Sequence, residues 1–226
     1  LIHMLKDKHD EVQQSAVLAL GMIKAVEATN QVVRILTDKR ADEELRCYSA
    51  ISLGLMGAPA ALTVLQKMVN SSDAKDEVKA GAILGLGLLG DERAAFTLLP
   101  YILSNKDEEL QAFAIASLAK LGRTELKMGY GRRARVMNVV EIFERKLADK
   151  TVKTQVRRAI ALALSEIGSP DTSIKALEQA WRLDRDKGVK SFALLSLAQI
   201  AAKLAPEDAR KVEVREFLRR ALNREK

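Results

Sequence analysis

A recurrence of about 33 residues runs through the chain and limits its possible folds more than any other feature. Val12, Leu45, Val78, Leu110, Val156 and Val189 mark it, at intervals of 33, 33, 32, 46 and 33 residues. Eight residues beyond each anchor stands a leucine: Leu20, Leu53, Leu86, Leu118, Leu164 and Leu197. Eleven beyond, the residue is apolar each time: Ile23, Met56, Leu89, Leu121, Ile167 and Ile200. One beyond, a long polar side chain recurs: Gln13, Arg46, Lys79, Gln111, Arg157 and Lys190. A period of this length belongs to stacked supersecondary units, none of which can bury its apolar face alone.

The unit is a pair of helices. Offsets of 0, 4, 8 and 11 fall on one face of a helix turning 100° per residue. The stretches between them (AVLALG, SAISLG, AILGLG, AIASLA, IALALS, ALLSLA) carry no charge. A helix apolar all round must be enclosed on several sides. Nine residues after the anchor the side chain is small (Gly21, Gly54, Gly87, Ala119, Ser165, Ala198), which lets neighbouring backbones approach. Twelve after it, Gly57, Gly90, Gly122 and Gly168 are expected to close the helix in a left-handed cap. Pro59 and Pro170 follow, where a second helix can start. Amphipathic second helices are expected near 32–36, 61–69, 94–103, 136–147, 174–183 and 214–222. The composition agrees: 48% hydrophobic residues but only 4% aromatic, with 4 prolines, describes an aliphatic helical core. No β-sheet is expected.

The openings DEVQQSAVLALG (10–21), DEVKAGAILGLG (76–87) and DEELQAFAIASLA (107–119) resemble the HEAT-repeat family. They are closest to its short-period branch, which includes the HEAT-like repeats of phycobilin lyases. The run GAILGLGLLG (81–90) is also similar to the helical repeats of proteasome base subunits, but the steady period fits HEAT better. The resemblance implies an all-α fold, a right-handed α–α superhelix (HEAT/armadillo-like solenoid) of about six helix pairs. It would span residues 1–226 as one domain, with residues 1–6 as the second helix of an earlier repeat. First helices would lie on the convex side and second helices on the concave side, the surface that such solenoids use for binding.

The single long interval is filled by GRTELKMGYGRRAR, so residues 123–135 form a basic insertion in the fourth repeat. It carries five cations against Glu125, with Gly129-Tyr130-Gly131 as an aromatic tip. Charge is uneven across it. Residues 1–122 hold 13 Lys+Arg and 16 Asp+Glu, a balance of −3; residues 123–226 hold 24 and 14, a balance of +10. The C-terminal half therefore suits an acidic partner. The candidate binding residues are Tyr130, Arg132, Arg133 and Arg135 in the insertion, and Trp181, Arg182, Arg185, Arg215 and Arg219 on the last second helices. Glu141, Glu144, Glu178 and Glu216 stand at helical spacing from neighbouring cations and would neutralise part of that field by pairing.

Residues suited to chemistry are sparse. His3 and His9 belong to no His-Glu pair, so the resemblance does not extend to the ligands of HEAT-type metal hydroxylases. Trp181 invites comparison with HEAT-like DNA glycosylases, yet a lone tryptophan in an amphipathic helix more often packs. Cys47 beside Arg46 reads as a small buried apolar residue rather than a nucleophile. Nothing assembles nucleophile, base and oxyanion donor, so no enzyme, no catalytic residue, no metal and no cofactor are expected. The expected function is a scaffold that binds another protein through its concave face. The alternative is a nucleic-acid-binding module using the basic half and the 123–135 loop. No segment is apolar enough for a membrane span and no signal peptide is present, which leaves the compartment open with the cytoplasm favoured. The chain begins without Met inside a helical pattern and reads as a piece of a longer protein, its N-terminal repeat face available for self-association.

Overall fold

A computed structural model describes residues 1–104, 107–122, 125–128 and 135–224. Among them are twelve α-helices, two for each of the six anchors. The first helices are α1 (Asp10–Met22), α3 (Glu43–Met56), α5 (Asp76–Leu89), α7 (Glu108–Lys120), α9 (Thr154–Ile167) and α11 (Lys187–Lys203). The second helices are α2 (Thr29–Thr37), α4 (Ala61–Val69), α6 (Ala95–Leu103), α8 (Val139–Ala148), α10 (Ser173–Leu183) and α12 (Ala209–Arg224). Ile2–Lys6 form a short 3₁₀ turn against α1. The chain divides into two compact units, Leu1–Leu121 and Gly122–Lys226.

Within the first unit, α1, α3, α5 and α7 pack in sequence, and α9 packs on α11 in the second. Each second helix seats on the first helix that follows it: α2 on α3, α4 on α5, α6 on α7, α8 on α9 and α10 on α11. The last one has no such successor among the described residues, and α12 turns back onto α11. The anchors from Leu45 to Val189 and all six leucines eight residues on are buried. Ile23 is the exception among the third set, 63% exposed where Met56, Ile167 and Ile200 are buried.

The small residues act as expected. A Cβ built on Gly21 would meet the Ser52 Cα at 2.8 Å, one on Gly54 the Gly85 Cα at 2.6 Å, and one on Gly87 the Ser117 Cα at 2.8 Å. These distances hold consecutive first helices at near backbone contact. A second rung accompanies them. Ser52 Oγ donates to the Val17 carbonyl and Ser196 Oγ to the Ala161 carbonyl, both at 2.7 Å, joining repeat-equivalent positions across the helix stack. Gly85, at the same repeat position, brings its backbone against the Ala50 carbonyl instead.

The long polar residue after the anchor also has a physical role. Arg46 Nε donates to the Leu36 carbonyl at 3.0 Å, and Gln111 Nε2 to the Ile102 carbonyl at 2.9 Å. Gln13 reaches the Asp7 carbonyl in the same way. The side chain thus satisfies carbonyls that the end of the preceding second helix leaves without partners. Asp42, Asp107 and Asp186 cap the other ends, accepting from the Leu45, Leu110 and Val189 amides.

Three sequence expectations are corrected. The expectation of no β-sheet fails in the insertion, where Glu125–Met128 (β1) and Arg135–Asn138 (β2) pair antiparallel, with Leu126 opposite Met137. The fourth second helix accordingly starts at Val139 rather than 136, its first turn capped by Asn138, whose side chain accepts from the Glu141 amide at 3.1 Å. Gly57, Gly90 and Gly122 are left-handed at φ 71°, 74° and 65°, but Gly168 has φ −63° and ψ 144°. At Gly168 the missing side chain serves packing, because a Cβ would strike the Leu164 carbonyl and Ser173.

Gly54→Ala is expected to destabilise the first unit by about 1–3 kcal/mol, since the new methyl strikes backbone rather than a flexible side chain. That loss outweighs the roughly 1 kcal/mol by which alanine otherwise favours a helix. Urea unfolding checks this; a neutral or stabilised Gly54→Ala variant refutes the close-contact account.

Candidate functional site

The second helices bury one face on the following first helix and leave the other to solvent, so the candidate site is built from their outer faces. In the second unit, α10 and α12 bring Trp181 and Phe217 together, ring centroids 5.2 Å apart and 82° inclined. The Arg182 guanidinium lies 5.3 Å from the Phe217 centroid. With Glu178, Glu213, Glu216, Arg220 and Ala221 these residues line a groove of about 430 Å³. Trp181 is half-buried and Phe217 buried, so the pair pins α12 to α10. The Trp181 Nε1 is itself buried and has no hydrogen-bond partner among the described residues.

The cations divide into two sets. Arg182 pairs with Glu178 at 3.1 Å, Arg145 with Glu141 at 3.9 Å and Arg220 with Glu216 at 3.5 Å, each one helical turn apart. Pairing at this spacing cancels most of their outward field, although each exposed pair adds little stability. Arg185, Arg215 and Arg219 are exposed and have no ion pair among the described residues. Of the insertion residues, Tyr130, Arg132 and Arg133 lie outside the described residues, and Arg135 is placed by its backbone alone, opposite Met128 in the ribbon. The cleft beside the foot of the ribbon, about 610 Å³, is lined by Glu125, Glu141 and Glu144 with Asn138, Ser169 and Thr172, and by no cation among the described residues. Glu144 accepts hydrogen bonds from the Thr172 and Ser173 hydroxyls at 2.7 and 2.5 Å.

Arg185 itself stands between two acids that are already engaged. Asp184 is buried, and burial pushes its carboxyl upward. Hydrogen bonds from Arg157, the Asp186 amide and Lys150 outweigh this and hold it down at about 2. Arg157 grips it with Nε and an Nη, both at 3.1 Å, and Lys150 Nζ lies 3.0 Å away. Lys39 and Asp73 form the repeat-equivalent pair in the first unit at 3.0 Å, fully on the surface. Asp186 is likewise held at about 2, chiefly by Arg158, which contacts it at 2.7 Å. These acids therefore serve the inter-repeat turn, and the sequence reading missed them because Arg157 and Asp184 are separated by a whole helix.

Elsewhere the reactive residues are quiet. Burial, followed by the charges of Glu77 and Glu44, pushes the Cys47 thiol up to about 11, which suppresses the thiolate. His9 bonds the Asp7 carboxylate at 3.0 Å on the surface. Among the described residues no group of three potential metal ligands converges, and no helix is long and apolar enough to cross a membrane.

Antiparallel helix pairs repeated in register, with paired and unpaired charges on the second-helix faces, define a helical-repeat protein. Residues 1–76 match the family of HEAT repeats, which bears out the HEAT character read from the opening at 10–21. No curated protein sequence matches the chain. Among solved structures, the complex of CpcE and CpcF of phycocyanin lyase from Nostoc sp. PCC7120 is similar over 97% of this chain and 92% of that one, with 16% identity and a TM-score of 0.54. Human deoxyhypusine hydroxylase in complex with glycerol overlaps more loosely, over 89% and 83% of the two chains, with 18% identity and a TM-score of 0.42. The likeness to the lyase complex supports the all-helical repeat fold. The expectation that the chain is no enzyme is corrected here, because the phycocyanin lyase complex shares this helical-repeat architecture, which therefore does not exclude catalysis.

Asp184 and Asp186 give the second unit a defined acid sensitivity. Their folded carboxyls titrate below the ordinary value of about 3.9, so their stabilisation is complete above that pH and is lost as pH falls towards about 2. For buried Asp184 the loss amounts to about 2 kcal/mol. Asp184→Ala, which strands the buried Arg157 cation, is expected to cost about 3–5 kcal/mol at neutral pH and to flatten the acid limb of the stability profile. Circular-dichroism melts across this pH range measure both; an unchanged acid limb refutes the assignment.

Proposed function

We propose that the chain is a scaffold that binds another protein through the outer faces of its second helices. The observation that carries this reading is the repeated placement of those faces. The second helices from α2 to α10 each commit one side to the following first helix, α12 packs back on α11, and each leaves its other side to solvent. Such an array offers an extended surface whose cohesion does not depend on the residues it displays. In the second unit the contact residues are Arg215 and Arg219 on α12 and Arg185 in the turn that follows α10, with Arg182 and Trp181 at the edge of the α10–α12 groove. The described cations suit an acidic partner there.

The test is the triple variant Arg185→Glu, Arg215→Glu, Arg219→Glu, assayed for binding to polyglutamate and to single-stranded oligonucleotide over a salt series. Polyglutamate binding that weakens with salt and drops about tenfold or more in the variant supports the protein-partner reading. Binding to the oligonucleotide alone, with the salt slope of phosphate neutralisation, favours a nucleic-acid module instead. Equal binding by wild type and variant, both folded by circular dichroism, removes this surface from consideration.

A further inference from the structure

The first unit carries a second, chemically different surface. Three solvent-facing positions recur on its second helices, spaced so that they form one stripe along each helix. On α2 they are Asn30, Arg34 and Thr37; on α4, Thr63, Lys67 and Asn70; on α6, Phe96, Pro100 and Leu103. All nine side chains are exposed, and successive helices place them 33 residues apart. The stripe is polar on the first two helices and wholly apolar on the third. Phe96 and Leu103 are 49% and 48% exposed although the repeat gives this face no packing duty in α2 or α4. The outer faces of α8 and α10 carry Glu141, Arg145, Lys175 and Arg182 instead. A small cavity of about 220 Å³ opens beside the apolar stripe, lined by Pro100, Tyr101, Ser104 and Asp107.

Charge on this surface is as selective as hydrophobicity. The first unit is acidic overall, yet α2, α4 and α6 contain no Asp or Glu at all. Their charges are Arg34 and Lys67, at the same repeat position as Pro100, and neither has an ion pair among the described residues. Lys67 also borders a groove of about 340 Å³ at the C-terminal ends of α2 and α4, together with Thr37, Arg46, Met68 and Asp73, the last already paired with Lys39 at 3.0 Å. Gln66 Nε2 donates to the Thr97 hydroxyl at 3.0 Å, so α4 and α6 are neighbours and Lys67 lies one helix away from the apolar stripe.

We propose that the α2–α4–α6 face binds a peptide segment of a partner protein that combines large apolar side chains with carboxylates. The apolar side chains cover Phe96, Pro100 and Leu103, and the carboxylates reach Lys67 and Arg34. Charge complementarity fixes the choice of occupant. A second copy of this face would bring Arg34 and Lys67 against like charges, and a bare polyanion would leave the apolar stripe uncovered. A basic segment would meet two unpaired cations with no acid near them on these helices. The proposal deepens the protein-binding reading and rests on it, but it needs none of the C-terminal cations.

The test pans a displayed library of random peptides on the full chain and measures the recovered peptides by fluorescence anisotropy. Enrichment of sequences joining Asp or Glu to Leu, Ile, Phe or Trp is expected. Their affinity should fall about tenfold or more in Phe96→Asp and in Leu103→Asp, as truncation of a central apolar anchor does. Lys67→Glu should lower affinity and reduce its salt dependence, while Arg215→Glu with Arg219→Glu should leave it unchanged. Phe96→Ser serves as the milder variant if Phe96→Asp melts early. Peptides that bind equally well to the Phe96 and Leu103 variants overturn the proposal, as does enrichment of basic or uncharged sequences. A concentration-dependent dimer that Phe96→Asp dissolves, or an oligonucleotide that competes for these residues, overturns it in favour of another occupant. Loss of peptide binding only in the Arg215/Arg219 variant also defeats it while leaving the general scaffold reading intact.

Discussion

The approach of one first helix to the next is the contact on which the rest of the structure depends. Gly21, Gly54 and Gly87 each face a residue on the next first helix so closely that a methyl group has no place. At this separation the helices exchange more than van der Waals contact: the Ser52 and Ser196 hydroxyls reach carbonyls of the preceding helix. A serine inside a helix usually bonds its own backbone, as Ser49 does with the Leu45 carbonyl. Spending the hydroxyl on the neighbour instead fixes the register of the stack, because a slip of one residue would leave both groups buried and unpaired. Ser117 occupies the same repeat position, but its buried hydroxyl has no hydrogen-bond partner among the described residues, so the α5–α7 step lacks this tie.

Once this spacing is set, the remaining elements have little freedom. A second helix lies in the furrow ahead of the first helix that follows it, and the carbonyls at its end come within reach of Arg46 or Gln111. At Arg46 and Gln111 the residue after the anchor therefore ties one repeat to the next, which explains why it is long and polar beside the uncharged middle of its helix. Arg157 performs the same task with an added acid, Asp184, so the turn before α11 depends on a buried ion pair where the equivalent pair in the first unit, Lys39 and Asp73, lies on the surface.

Much of this was legible from residues whose identity the stack dictates. The anchors, the leucines and the small positions announce themselves because each is constrained by contacts with two neighbouring units. The ribbon at Glu125–Met128 and Arg135–Asn138 was not legible in the same way, since it answers to no repeat. Its signal was local and short: ELKM alternates in polarity just ahead of the turn residues Gly129-Tyr130-Gly131. Reading the region through its arginines concealed that pattern. Gly168 shows the converse failure, a position whose residue type was expected for one reason and is required for another. The candidate site was the least legible part, because net charge does not reveal pairing. The basic half spends Arg145, Arg182 and Arg220 on its own glutamates, whereas the acidic half keeps three helices free of acids.

That contrast follows from how the fold divides its labour. First helices carry the cohesion of the stack, so their sequences converge on the same few residues at each repeat. The outer faces of second helices contribute almost nothing to cohesion and are free to differ from one repeat to the next. A residue there that departs from its repeat equivalents therefore lacks a structural explanation in the stack itself. Phe96, Pro100 and Leu103 depart in this sense from Asn30, Arg34 and Thr37 and from Thr63, Lys67 and Asn70, and they depart together, along one stripe. Exposure of two large apolar side chains in such a stripe carries a cost in solubility that the architecture does not impose. In a repeat protein the informative positions are thus those where the repeat is broken without a packing reason, and comparison among the units of a single chain is enough to find them.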